Sequence, residues 1–184
     1  NRAYAEAYRN RGITLQDLGR DAEALASYDS ALALDPRRAE IHYNRAVVLQ
    51  RRGELEQALA SYREAERLKP DFASALLNQG AVLAELGRND DALEVYRRAE
   101  DCGPDQASVH FNRGAVLMQL GRLEEALASY DRCITLNPDF DLAHLNRGAL
   151  LARLQRPEDA AASYERDRKS TRLNSSHGYI SYAV

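Results

Sequence analysis

The chain has 184 residues, of which 45% are hydrophobic and 7% aromatic, with no tryptophan, and its formal net charge is -3. Such a balanced charge argues against the clustered basic face that nucleic-acid binding requires. No apolar run approaches the roughly 18 residues of a membrane span, so neither nucleic acid nor a membrane is expected as a partner.

A 34-residue segment recurs along the chain. It begins as "NRGITLQDLGR" at Asn10 and as "NRGAVLMQLGR" at Asn112, three periods later. A fixed period of this size indicates a repeat architecture, in which each unit buries its apolar face against its neighbours. We therefore expect residues 1–4 to end a preceding repeat, residues 5–38, 39–72, 73–106 and 107–140 to form four full repeats, and residues 141–166 to form a truncated fifth.

Each repeat is predicted to contain two helices. The first carries apolar residues at helical spacing and ends near a glycine, a common helix stop. The second runs to a proline, which cannot continue a helix. The glycines are Gly19, Gly53, Gly87 and Gly121, and the prolines are Pro36, Pro70, Pro104 and Pro138.

This pattern resembles the tetratricopeptide repeat family. With repeats numbered from Ala5, Ala39, Ala73, Ala107 and Asp141, the family's small residue at position 8 is Gly12, Ala46, Gly80, Gly114 and Gly148. Its core position 24 is Tyr28, Tyr62, Tyr96, Tyr130 and Tyr164. The resemblance implies an all-α, right-handed superhelical solenoid of stacked antiparallel helix pairs, with the first helices lining a concave groove.

Position 7 departs from the aliphatic residue that is usual in the family. It is arginine in four repeats and Gln79 in the third. We expect the arginine stems to pack while their charged heads reach water.

Position 6 is asparagine in all five repeats, although asparagine is unfavourable inside helices. This asparagine column consists of Asn10, Asn44, Asn78, Asn112 and Asn146. A helix turns by about 100° per residue, so positions 4, 8 and 11 share the packing face and position 6 lies away from it. The resemblance then places the column in the groove. Because an amide both donates and accepts hydrogen bonds, we expect it to bind the backbone of an extended peptide, or alternatively to fix the packing of one repeat on the next.

Neighbouring positions 5 and 13 supply the other expected groove residues. They are Tyr43, Leu77, Phe111, Arg51, Glu85 and Gln119. The partner is therefore predicted to be a protein or a peptide.

The asparagine column also resembles that of O-linked N-acetylglucosamine transferases. One alternative function is therefore the substrate-recruiting arm of a larger bacterial glycosyltransferase. A second alternative is an assembly scaffold that uses the convex surface. The carboxylate clamp of chaperone adaptors is disfavoured, because position 2 has no lysine and position 6 no arginine.

Catalytic and cofactor-binding motifs are absent from the sequence, so neither an enzyme activity nor a cofactor is expected within these residues. His42, His110 and His144 share position 4, but equivalent atoms in successive repeats lie about 10 Å apart, too far to share one zinc ion. No metal is expected.

Cys102 and Cys133 are too few for a disulfide framework. They are expected to be buried hydrophobes, and the protein is expected in a reducing, cytoplasmic compartment.

The repeat register breaks after Arg166. The segment "DRKSTRLNSSHGYISYAV", residues 167–184, reads as a translated sequencing adapter. We predict that it is not part of the fold.

Overall fold

The computed structural model describes residues 2–102 and 107–164, and within these ranges the chain forms helices and turns without a strand. The predicted all-α class is therefore confirmed. The adapter prediction for residues 167–184 falls outside the described residues. The helices are α1 (Arg2–Asp17), α2 (Asp21–Leu34), α3 (Ala39–Arg51), α4 (Leu55–Leu68), α5 (Ala73–Glu85), α6 (Asn89–Asp101), α7 (Ala107–Gln119), α8 (Leu123–Leu136) and α9 (Asp141–Arg153), followed by a helical segment at 157–164.

Two compact units make up the chain, Asn1–Pro104 and Asp105–Val184. In the first unit, α1 packs on α2, α3 on α4, and α5 on α6, and each second helix also contacts the next first helix. In the second unit, α7 packs on α8, and α8 contacts α9. Each unit is thus a stack of helix pairs. Helix α1 begins at Arg2, three residues before the predicted start of the first repeat.

The predicted helix ends are confirmed by the backbone. Gly19 has a φ of 71°, and the amide of Arg20 donates to the carbonyl of Leu15 at 2.8 Å, which closes the end of α1. Gly53, Gly87 and Gly121 adopt the same left-handed conformation, which is favourable for glycine because it has no Cβ. The fifth repeat places Gln155 there instead, at a φ of 58°.

The tyrosines of position 24 form the centre of each helix pair. Tyr28, Tyr62, Tyr96 and Tyr130 are fully buried, as expected of a core position, whereas Tyr164 remains 38% exposed. The tyrosine ring packs against position 8 and leaves room there only for a small residue. A Cβ added at Gly80 would lie 2.4 Å from Cε1 of Tyr96, a distance at which the two groups would overlap.

Candidate peptide-binding groove

The asparagine column lies on the first helices and outside the core. Asn10 is exposed, and the other four members are half-buried. By contrast, the position 11 leucines of the same helices, such as Leu49 and Leu83, are buried. Position 6 therefore lies off the packing face, as helical geometry predicts.

Two members of the column are bonded to tyrosine hydroxyls. Asn78 Nδ2 donates to Tyr43 Oη at 3.3 Å, and Asn146 Nδ2 donates to Tyr130 Oη at 3.5 Å. Both tyrosines belong to the preceding repeat. Burial raises the pKa of Tyr130, while its hydrogen bond with Asn146 acts to lower it. These contacts support the alternative role of the column, the packing of one repeat on the next.

The column is not uniform in this respect. The amide of Asn44 makes no side-chain hydrogen bond within the described residues, and the corresponding hydroxyl, Tyr28 Oη, donates to Gln16 Oε1 at 3.0 Å. Burial raises the pKa of Tyr28 to about 12, so this hydroxyl stays protonated at neutral pH. Asn44 therefore has both its donor and its acceptor available for a ligand.

The aromatic residues expected at the groove edge pack on other rings. The ring centroid of Tyr43 lies 5.0 Å from that of Phe72 and 6.0 Å from that of Tyr62. Phe111 repeats the arrangement, 5.0 Å from Phe140 and 5.9 Å from Tyr130. Tyr43, Leu77 and Phe111 are all half-buried. Position 5 thus contributes to packing as well as offering part of each side chain to a ligand.

Two polar residues of position 13 link successive repeats. Arg51 pairs with Asp21, its Nε lying 3.0 Å from Oδ2, and Glu85 Oε1 accepts a bond of 2.9 Å from Gln50 Nε2. Gln119 is exposed at the end of α7. Arg51 and Glu85 were predicted as ligand contacts, and in the structure both already have partners within the protein.

An arginine clasp, which the sequence analysis missed, joins neighbouring repeats. Arg45 Nη1 donates to Ser61 Oγ of its own repeat at 2.7 Å, and Arg45 Nε donates to Asp29 of the preceding repeat at 2.8 Å. Ser61 Oγ in turn donates to the carbonyl of Gln57. The Arg45 side chain remains 26% exposed, as expected for a head that reaches water, but its guanidinium also makes these charge-assisted hydrogen bonds, which the sequence did not predict.

The clasp recurs in the second unit, where Arg147 bonds Ser163 at 2.6 Å and Asp131 at 2.5 Å. Arg11 and Arg113 make the same bond to the serine of their own repeat, Ser27 and Ser129. A signal for it was present in the sequence, since the "SYD" of residues 27–29 and 129–131 precedes a repeat with arginine at position 7.

The contacts and burial of the histidines and cysteines show whether these residues could hold a metal ion. His42 and His144 each place Nε2 2.9 Å from a proline carbonyl of the preceding turn. No group of His, Cys, Asp or Glu among the described residues is arranged to hold a metal ion. Cys133 is buried, which raises the pKa of its thiol to about 11. Cys102 is only partly buried, so the expectation of a buried hydrophobe is wrong there.

Family profiles match most of the chain. A tetratricopeptide repeat profile matches residues 43–107, 77–139 and 111–171, and a second, described as TPR repeat, matches residues 15–53. No curated protein matches the sequence at a significant level. None of the helices in the part of the chain that the structure describes is long and apolar enough to cross a membrane.

Solved structures resemble the chain closely. MamA from Desulfovibrio magneticus RS-1 matches with a TM-score of 0.85 and 21% identity over 92% of this chain and 96% of that one, which shows the fold alone. Pseudomonas aeruginosa pilF matches with a TM-score of 0.82 and 25% identity, over 91% and 77%. YrrB, described as a TPR protein with an unusual peptide-binding site, matches with a TM-score of 0.73 and 25% identity, over 89% and 84%.

Proposed function

Because the chain belongs to the tetratricopeptide repeat family and is a protein-interaction module, we propose that its asparagine column binds the backbone of an extended peptide. The observation that carries the proposal is the half-buried amide of Asn44, which has no side-chain partner in the described residues. Asn78 interacts with Tyr43 and Tyr62 as a donor, and no side-chain donor bonds its oxygen within the described residues. The two free thiols support a cytoplasmic location for this interaction.

An amide column suits a peptide backbone because each peptide group offers one N–H and one C=O, which a carboxamide can satisfy together. Such bonds do not depend on the side chains of the ligand. Half-buried neighbours such as Val47 and Leu77 would then set a preference for particular side chains. The occupant is an extended segment, because a helical peptide has already paired its own backbone groups.

The test begins with a peptide selected from a random display library on the intact chain. Binding of that peptide is compared with binding of versions N-methylated at single backbone positions, by isothermal titration calorimetry. We expect several N-methylations to weaken binding by about fivefold to tenfold each, since a net hydrogen bond is worth about 1 kcal/mol. N-methylation removes a backbone donor and leaves the side chains unchanged.

The protein side of the same test uses one double variant in each unit, Asn44→Ala with Asn78→Ala, and Asn112→Ala with Asn146→Ala. The matched control replaces exposed carboxylates in the first turns of second helices, Glu56→Gln with Asp90→Asn. If the asparagine variants remain folded by circular dichroism and bind the selected peptide as tightly as the control, the groove proposal is wrong.

A further inference from the structure

A crevice opens between the second helices α4 and α6, over α5. It encloses a cavity of about 400 Å³, lined by Arg63 and Glu66 of α4, Gln79 and Leu83 of α5, and Val95 and Arg98 of α6. None of these residues belongs to the asparagine column or to positions 5 and 13. The crevice is therefore a different surface from the proposed groove.

The arginine clasp is missing at this junction. Where Arg45 bonds Ser61 and Asp29 one repeat earlier, the third repeat has Gln79, and the residues equivalent to Ser61 and Asp29 are Val95 and Arg63. All three members of the clasp are thus replaced at once. All three replacement residues line the cavity.

Two buried polar atoms in the wall of this cavity have no hydrogen-bond partner. Gln79 is only 2% exposed, and its Oε1 accepts no bond. Arg98 Nε is also buried and donates no bond, although Nη1 of the same side chain pairs with Glu66. Buried polar groups in native proteins are nearly always paired. One acceptor and one donor in the wall of the same cavity are therefore available to a ligand that carries one of each.

The charges around the crevice favour a neutral ligand. Glu66 pairs with Arg98, Asp91 with Arg88 at 2.6 Å, and Glu94 with Arg97 at 2.7 Å. A carboxylate ligand has no N–H to donate and would leave Gln79 Oε1 without a donor. A cationic ligand would lie near Arg63, an exposed guanidinium in the cavity lining.

We propose that the crevice binds a primary carboxamide, the side-chain group of an asparagine or glutamine on a partner protein. The ligand N–H donates to Gln79 Oε1, and the ligand carbonyl accepts from Arg98 Nε. The aliphatic part of the ligand side chain contacts Val95 and Leu83. This gives the module a second recognition site, between α4 and α6 and over α5, that does not depend on the asparagine column.

The site can be probed in the intact chain by NMR titration with propionamide, which reproduces a glutamine side chain. We expect saturable shifts of the Val95 methyl and Gln79 amide signals, with a Kd on the order of 10 mM for so small a ligand. The Ser61 signals at the clasped junction provide an internal control and stay in place. Propionate, which lacks the donor, is expected to bind at least tenfold more weakly.

Restoring the clasp with Gln79→Arg, Val95→Ser and Arg63→Asp should abolish binding, because the new guanidinium fills the crevice. In this variant binding is followed through the methyl signals of Leu83, a lining residue that the substitutions leave unchanged. Val95→Phe is a second way to fill it without changing the charge, and thermal melts establish which variants remain folded. Unsaturated shifts up to the solubility limit, propionate binding as tight as propionamide, or persistent binding in a folded filled variant would each overturn the proposal. Equal binding of N-methylacetamide would overturn the side-chain assignment in favour of a main-chain peptide group.

Discussion

The second and third repeats share one backbone arrangement but join their predecessors differently. In the second, Arg45 links α3 to Ser61 and to Asp29, and each of these groups has a partner. In the third, Gln79 leaves its oxygen unpaired, and the junction relies instead on an ion pair between Arg98 and Glu66. The apolar core thus fixes the stacking of repeats, while the polar junction residues vary and decide where a cavity forms.

The largest effect is expected beneath the tyrosine of the third repeat. Gly80→Ala would place a methyl group 2.4 Å from Tyr96 Cε1, and Tyr96 is fully buried, so the ring cannot move into solvent. Overpacking of this kind destabilises by about 2–3 kcal/mol. Urea unfolding followed by circular dichroism measures the loss.

The second repeat supplies the matched control, because it already accommodates Ala46 beside Tyr62. Ala46→Gly relieves no clash and should cost only about 1 kcal/mol, the difference in helix propensity. An unfolding midpoint for Gly80→Ala that equals the wild-type value would show that the two repeats pack their rings alike, contrary to the contacts seen.

A smaller difference is expected when the junction residues are truncated. Arg45→Ala removes two charge-assisted hydrogen bonds from a side chain that is 26% exposed, and should destabilise by about 1–2 kcal/mol. Gln79→Ala removes an oxygen that has no partner, and should change stability by less than about 0.5 kcal/mol. Both are measured by the same unfolding experiment, and equal losses would contradict the distinction between the junctions.

The features found in every repeat were predictable from the sequence, because a period of 34 residues aligns positions that have the same surroundings. The glycine stops, the tyrosine core and the position of the asparagines outside the core all followed from this alignment and from helical geometry. Gln155 shows the limit, since it takes the left-handed conformation without being glycine. Gln155 occupies the repeat position at which the other repeats have glycine. This position, rather than the residue type, indicates the left-handed conformation.

The junction contacts could not be predicted in the same way. Arg45 and Asp29 are 16 residues apart and belong to different repeats, and their meeting depends on how one helix pair is set on the next. Within a single repeat, position 7 looks like any other amphipathic side chain, because its partner in the neighbouring repeat is not visible there. The internal partners of Arg51 and Glu85 were missed for the same reason, because Asp21 and Gln50 lie in a preceding repeat.

Installing the clasp in the third repeat should make the two junctions alike. The triple variant Gln79→Arg, Val95→Ser and Arg63→Asp supplies the three groups seen at Arg45, Ser61 and Asp29. We expect a gain in stability of about 1 kcal/mol, the net value of a well-paired hydrogen bond, seen as a higher urea midpoint. Arg63→Asp alone is the control, because it adds a carboxylate without a guanidinium to bind. A triple variant no more stable than this control would mean that the clasp requires other features of the first junction.

The smallest effect separates the asparagines of the same two repeats. Asn78→Ala removes the bond to Tyr43 and should destabilise by about 0.5–1 kcal/mol, whereas Asn44, which has no side-chain partner, should tolerate alanine within about 0.3 kcal/mol or gain slightly from its higher helix propensity. Urea midpoints measured in the absence of peptide compare the stabilities of the two variants. Titration with the selected peptide then compares their affinities. An Asn44→Ala variant that loses peptide affinity at unchanged stability would assign this amide to the ligand. Equal destabilisation by both substitutions would instead assign the whole column to the packing of repeats, and the groove would then have to bind its partner through other side chains.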